Sequence, residues 1–141
     1  MTLHTQARGF SLALRDLHRL LLESVRRQYE SLYARVDNPY ELFRLTREDP
    51  LFSWLKPLTR ALTELDEAID ASPEDAARVK SAIRNVEALL NGRVDAQSDA
   101  DTKELAMLYR PHLQNEPEVT FAHGRVRTSL RELDRPAPTA A

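Results

Sequence analysis

The chain has 141 residues, 42% of them apolar and 30% charged, with a net charge of −2. That length suits one domain with a core that needs no covalent staples, and the near-neutral charge removes any global pull toward phosphate. No cysteine is present, which excludes disulfides, thiolate nucleophiles and Cys-ligated zinc.

Three glycines set against abundant Leu, Ala and Arg favour helices over strands. The first ten residues lack the continuous apolar run of a signal peptide. No stretch approaches the roughly 20 apolar residues of a membrane span. The expectation is a cytoplasmic protein with no membrane contact.

The first predicted helix runs from about Phe10 to Ala34. Its stripe is Leu14, Leu17, Leu21, Val25, Tyr29 and Leu32, widened by Phe10, Leu22, Tyr33 and Val36. Leu12 and Leu20 fall outside that stripe and call for a second neighbour or an oligomer contact. His4 is assigned to a mobile N-terminus. Asn38-Pro39-Tyr40-Glu41 then reads as an N-cap, a proline at N1 and an acid at N3, opening a short helix over 39–47.

The segment Asp49–Asp70 holds the only tryptophan and the cleanest apolar stripe: Leu58, Leu62, Leu65 and Ile69. Asp49-Pro50 reads as a second helix start. Pro57 removes a backbone donor and clashes with the preceding turn. Residues 50–56 are therefore either a short separate helix or the first turns of a kinked one. Phe52, Trp54 and Pro57 are the candidate walls of a ligand cleft at that point.

Ser72-Pro73-Glu74-Asp75 opens a helix over 73–91 that Asn91-Gly92 caps. With the helix before it, this should form an antiparallel hairpin. Ser98 is expected to cap a helix over 99–114, which Pro111 kinks or ends. The last helix runs over 117–133 on Val119, Ala122, Val126, Leu130 and Leu133. The expected fold is an all-α, single-domain bundle of five to six helices, mostly antiparallel, spanning residues 1–134. It carries a proline kink or break near Pro57 and a disordered tail over 135–141.

The segment D-P-L-F-S-W-L-K-P-L at 49–58, the helix after it and the later E-P-E-V-T-F-A-H resemble a pattern found in uncharacterised small helical proteins of bacteria. The shared core of that pattern is D-P-x-F-x-W-L-x-P-L. The resemblance implies a bacterial cytoplasmic origin, carries no activity and transfers no functional residue.

His18, His112 and His123 each fall on the apolar side of a predicted helix. Inward histidines in a bundle can hold metal, but neither Glu-x-x-His nor His-x-x-x-His occurs. In an antiparallel pair His112 and His123 would stand about 7.5 Å apart along the axis. Core histidines with satisfied hydrogen bonds are the simpler reading. Asp66 and Asp70 lie one turn apart and could share a cation, although such acidic runs are ordinarily solvated faces. No nucleophile elbow and no Gly-rich phosphate loop stand in the chain. Arg125, Arg127, Arg131 and Arg135 could form a basic face, but no helix-turn-helix pattern accompanies them.

These features favour a non-enzymatic protein that works through protein–protein contacts, as an adaptor, regulator or homodimer. The alternative is a metal- or small-ligand-binding bundle using His18, His112 and His123. No cofactor is expected outside that alternative, and nucleic acid is disfavoured as a partner.

Overall fold

Ala7, Phe10, Leu14, Leu17, Leu21 and Val25 recur every three or four residues, and all six side chains are fully buried. They form the inner face of α1, Leu3–Leu32. Burying each large side chain of this kind stabilises a fold by about 1.5–3 kcal/mol. The computed structural model describes residues 2–71 and 75–134. Among the described residues there are six α-helices and no strand. After α1 come α2 (Pro39–Glu48), α3 (Lys56–Ala71), α4 (Ala76–Leu90), α5 (Ala100–Asn115) and α6 (Pro117–Asp134), with a 3₁₀ turn, Ser53–Leu55, before α3. No helix is long and apolar enough to cross a membrane among the described residues.

The helix α1 begins seven residues earlier than its central stripe suggests. The Thr2 hydroxyl accepts the Thr5 N–H at 3.1 Å, a side-chain cap that satisfies one of the orphan donors. Leu3 and Ala7 then carry the apolar row back from Phe10. His4 therefore sits in a helical first turn rather than in a mobile arm.

Cross-links give the packing directions. Arg125 of α6 reaches Asp16 at 2.6 Å, and Ser24 reaches Glu116 at 2.9 Å, so α6 runs antiparallel to α1. Arg8 meets Asp70, Ser11 meets Asp66 and His18 meets Thr59, so α3 also runs antiparallel to α1. Tyr109 pairs with His123, which makes α5 and α6 an antiparallel hairpin. The core is one continuous cluster to which every helix contributes.

Pro57 does not kink a helix. It occupies the second position of α3, where its missing N–H would have had no intrahelical partner. The chain breaks before it. Asp49 ends α2 instead of starting a new helix, and its carboxylate accepts the Leu51 N–H at 2.9 Å. Residues 53–55 make only the 3₁₀ turn.

Pro111 does not end its helix. It lies inside α5, which continues to Asn115. The turn that follows it is held from outside by His112, which stacks on Trp54 and bonds to Ser24. Asp99, not Ser98, caps α5 by accepting the Thr102 N–H at 2.8 Å. Ser98 instead closes a local turn with Asp95.

Gly92 ends α4 as expected. Its φ of +69° is the left-handed conformation that disfavours a Cβ. Arg93 N–H then reaches Ala88 O at 3.0 Å and Gly92 N–H reaches Leu89 O at 3.2 Å, a complete Schellman motif. The expected start signal Ser72-Pro73-Glu74 and the tail 135–141 lie outside the described residues.

Candidate binding groove

The helix α2 is amphipathic but only half used. Leu45 is buried, and through the 53–55 turn α2 rests on the body of the bundle. Pro39, Leu42, Phe43, Thr46 and Arg47 share the next face, at i, i+3, i+4, i+7 and i+8. That face looks across a gap at Phe52, Leu55, Lys56, Thr59 and Arg60, a second row at helical spacing. His18 and Leu22 of α1 form the floor. The gap is a largely apolar groove of about 610 Å³, within the roughly 300–1,000 Å³ of ligand sites. Phe43 stands at its edge with 61% of its surface exposed.

One polar pair interrupts the apolar floor. His18 Nε2 lies 2.8 Å from Thr59 Oγ1, and the Thr59 hydroxyl donates to Leu55 O at 3.1 Å. A hydroxyl has one proton, so Nε2 of His18 carries the hydrogen and donates to Thr59. Burial lowers the His18 pKa, helped by the nearby Arg15 guanidinium, and the ring stays neutral at pH 7. His18 Nε2 and the Thr59 hydroxyl are thus satisfied without a ligand.

The rim is basic on both sides. Arg47 lies over the Phe43 ring at 4.9 Å on the α2 wall, with Glu48 at 3.8 Å. Lys56 and Arg60 stand on the opposite wall. Arg60 meets the exposed Asp99 at 3.3 Å, whereas Lys56 has no ion pair among the described residues.

Of the three cleft residues expected from sequence, the groove takes one. Phe52 lines it. Trp54 is buried elsewhere, stacked on His112 with centroids 5.2 Å apart and planes 17° from parallel. Pro57 is buried in the first turn of α3 and does not border the groove.

The three histidines separate. His18 is at the groove. His112 Nδ1 contacts Glu116 and lies 3.1 Å from Ser24 Oγ, which itself donates to Glu116 at 2.9 Å. Arg27 approaches the same carboxylate at 3.4 Å. A serine, a histidine and a glutamate in contact invite a catalytic reading, but the geometry is wrong for it. Ser24 and Glu116 meet the same ring nitrogen, whereas a relay needs the acid on one nitrogen and the nucleophile on the other. The cluster ties α1 to the α5–α6 corner.

His123 Nδ1 and the Tyr109 hydroxyl share a hydrogen bond of 2.7 Å. Burial raises the Tyr109 pKa and keeps the phenol protonated. Burial first, and Arg127 second, lower the His123 pKa. Among the described residues no three of His, Asp and Glu gather where they could hold a metal ion. Asp66 and Asp70 face α1 instead of sharing a cation, Asp66 bonding to Ser11 and Arg15 and Asp70 to Arg8. On α6, Arg125 is paired with Asp16 and Arg127 reaches Asn91 at 3.3 Å.

The residues that sequence reasoning missed are Phe43, Arg47, Lys56, Thr59 and Arg60. For Phe43 and Arg47 the signal was the apolar face of the short helix at 39–47, too wide for one contact; Lys56, Thr59 and Arg60 stand on α3 and gave none. Comparison with protein-family models, curated proteins and solved structures returned no match for this chain.

Proposed function

We propose that this protein is a non-enzymatic helical-bundle adaptor that holds a protein partner in the groove between α1, α2 and α3. The observation that carries the reading is the pair of facing helical rows over an apolar floor, open to solvent beside an exposed Phe43. Apolar surface left open in this way weakens a fold and is a mark of an interaction site. His18, His112 and His123 support the same reading, since each is already engaged by a neighbouring side chain. The bacterial cytoplasm is the setting that the resemblance of residues 49–58 implies.

The test is capture of partners by the tagged protein in its own host, read by mass spectrometry against two variants. Phe43→Glu with Thr46→Glu places charge in the groove from its outer wall. Phe121→Glu alters an exposed aromatic on α6, far from it in sequence. A stoichiometric partner lost only by the groove variant is the expected result. A partner that the groove variant keeps removes the groove as the working surface.

A further inference from the structure

We propose that the groove takes one amphipathic helix of a partner protein, with a purely apolar stripe flanked on both sides by Asp or Glu. The inference rests on the groove being the working surface and specifies what fills it.

The shape argues for a helix. From Pro39 to Arg47 the α2 wall is about 12 Å long, two turns at 1.5 Å per residue. The opposite wall repeats that spacing from Phe52 to Arg60. Two facing helical rows over the floor helix leave the seat that a further bundle helix would fill, with anchors at i, i+3 or i+4 and i+7. The floor argues for an apolar stripe. His18 Nε2 bonds to Thr59, and the Thr59 hydroxyl bonds to Leu55 O, so neither of these groups needs a polar partner from a ligand.

The rim argues for acids on both flanks. Arg47 stands on one wall, and Lys56 and Arg60 stand on the other. Glu48 beside Arg47 and Asp99 beside Arg60 are exposed partners, and such surface pairs are weak enough to be exchanged. Lys56 has no ion pair to exchange among the described residues.

Other occupants fit less well. A single-chain lipid carboxylate brings one anion and needs an enclosed tunnel, whereas this groove has cations on two walls and an exposed Phe43. A second copy offers no suitable helix from its acidic run. Glu64, Glu67 and Asp70 lie on α3, whose own stripe of Leu58, Leu62, Leu65 and Ile69 is already buried.

The experiment uses the full chain and labelled helical peptides, read by fluorescence anisotropy. The probe set carries Leu, Ile or Phe permuted at the anchors with glutamates on both flanks. Its control has lysines in place of the glutamates. Glutamate-flanked members should bind about tenfold or more tightly than their lysine twins, with affinity falling as salt rises. Lys56→Glu with Arg60→Glu, at a half-buried and an exposed position of the rim, should reverse that preference.

Equal binding of the twins, or binding of neither, overturns the acidic-helix inference. So does laurate binding at one per chain without peptide binding, which would make the groove a lipid site. A dimer by sedimentation that both seals the groove and is abolished by Phe43→Glu assigns it to a second copy and overturns the inference as well. If no peptide binds while the host partner is still lost on Phe43→Glu with Thr46→Glu, the adaptor reading stands and only the helix class fails. If that variant keeps the partner, the adaptor reading itself fails.

Discussion

Two neighbouring rows of α1 meet opposite fates. Leu17, Leu21 and Val25 are sealed completely. His18 and Leu22 come one residue later, about 100° further round the helix, and face an open groove. The sealed side is served by α6, whose buried residues are the small Val119, Ala122 and Val126. Small side chains let α6 lie close along α1, and the seam is pinned by Asp16–Arg125 and by the Ser24–His112–Glu116 cluster. The open side is served by α2, which has one buried leucine and rests on a turn. Stability is concentrated on one row and left unspent on the next. That asymmetry is what the proposed docking surface rests on.

The sharpest way to break the comparison is at the sealed row. Leu17→Ala should cost about 2–5 kcal/mol, the transfer loss plus a cavity that rigid neighbours cannot close. Urea unfolding would read it as a lower midpoint with an unchanged slope. A cost below about 1 kcal/mol would mean that the row is less tightly packed than its full burial implies.

Next comes the polar pin. Glu116→Ala leaves His112, Ser24 and Arg27 without their shared acceptor. Orphaning half-buried donors of this kind should cost about 1–3 kcal/mol. Ser24→Ala combined with it should be clearly non-additive, because both changes remove members of one network. Strict additivity would mean that the cluster is three separate surface contacts.

This contrast also marks what the sequence made legible. Periodicity located every described helix to within a few residues, apart from the early start of α1, because Leu14, Leu17, Leu21 and their counterparts each serve one face. Caps were readable where the signal was local, as at Asn38 and at Asn91-Gly92. Ser98 lost to Asp99 because both can cap and only tertiary register chooses between them. At Pro111 the sequence left a kink or an end open, because the contacts beside its turn, from Trp54 and Ser24, come from distant segments. The groove failed for the same reason. Trp54 is the natural anchor of a cleft by composition, yet it is consumed by a histidine 58 residues away, and the exposed Phe43 takes the role at the edge.

Thr59→Val probes the groove floor with a smaller effect. It removes the acceptor for the His18 Nε2–H, and at this partly wet site the loss should be about 0.5–1 kcal/mol. Acid should sharpen the reading. The folded-state pKa values of His18 and His123 are both lowered, chiefly by burial. The unfolded chain therefore takes up protons first as pH falls below the ordinary histidine value of ~6.5. Above that pH both states are neutral and the two rings add no pH dependence. Below it, stability should decline. Arg15 beside His18, Lys56 and Arg60 along the groove, and Arg127 beside His123 all oppose a second positive charge. His18→Gln should flatten part of the decline between pH 6.5 and 5 in thermal melts, by about the range over which histidine titrates. An unchanged slope would place His18 in water rather than under the groove.

The smallest effect on stability should come from Phe43→Ser. The side chain is 61% exposed, and Arg47 lies over its ring. Surface changes of this kind usually stay within about 0.5 kcal/mol, and removing an exposed aromatic offsets part of the lost contact. The same change removes the largest apolar side chain at the mouth of the groove, and anchors of that kind dominate binding energy. A variant that melts with the parent protein but no longer holds a helix would separate binding from folding at one position. A variant that loses both would mean that Phe43 supports α2 itself, and the open row of α1 would then be a structural face after all.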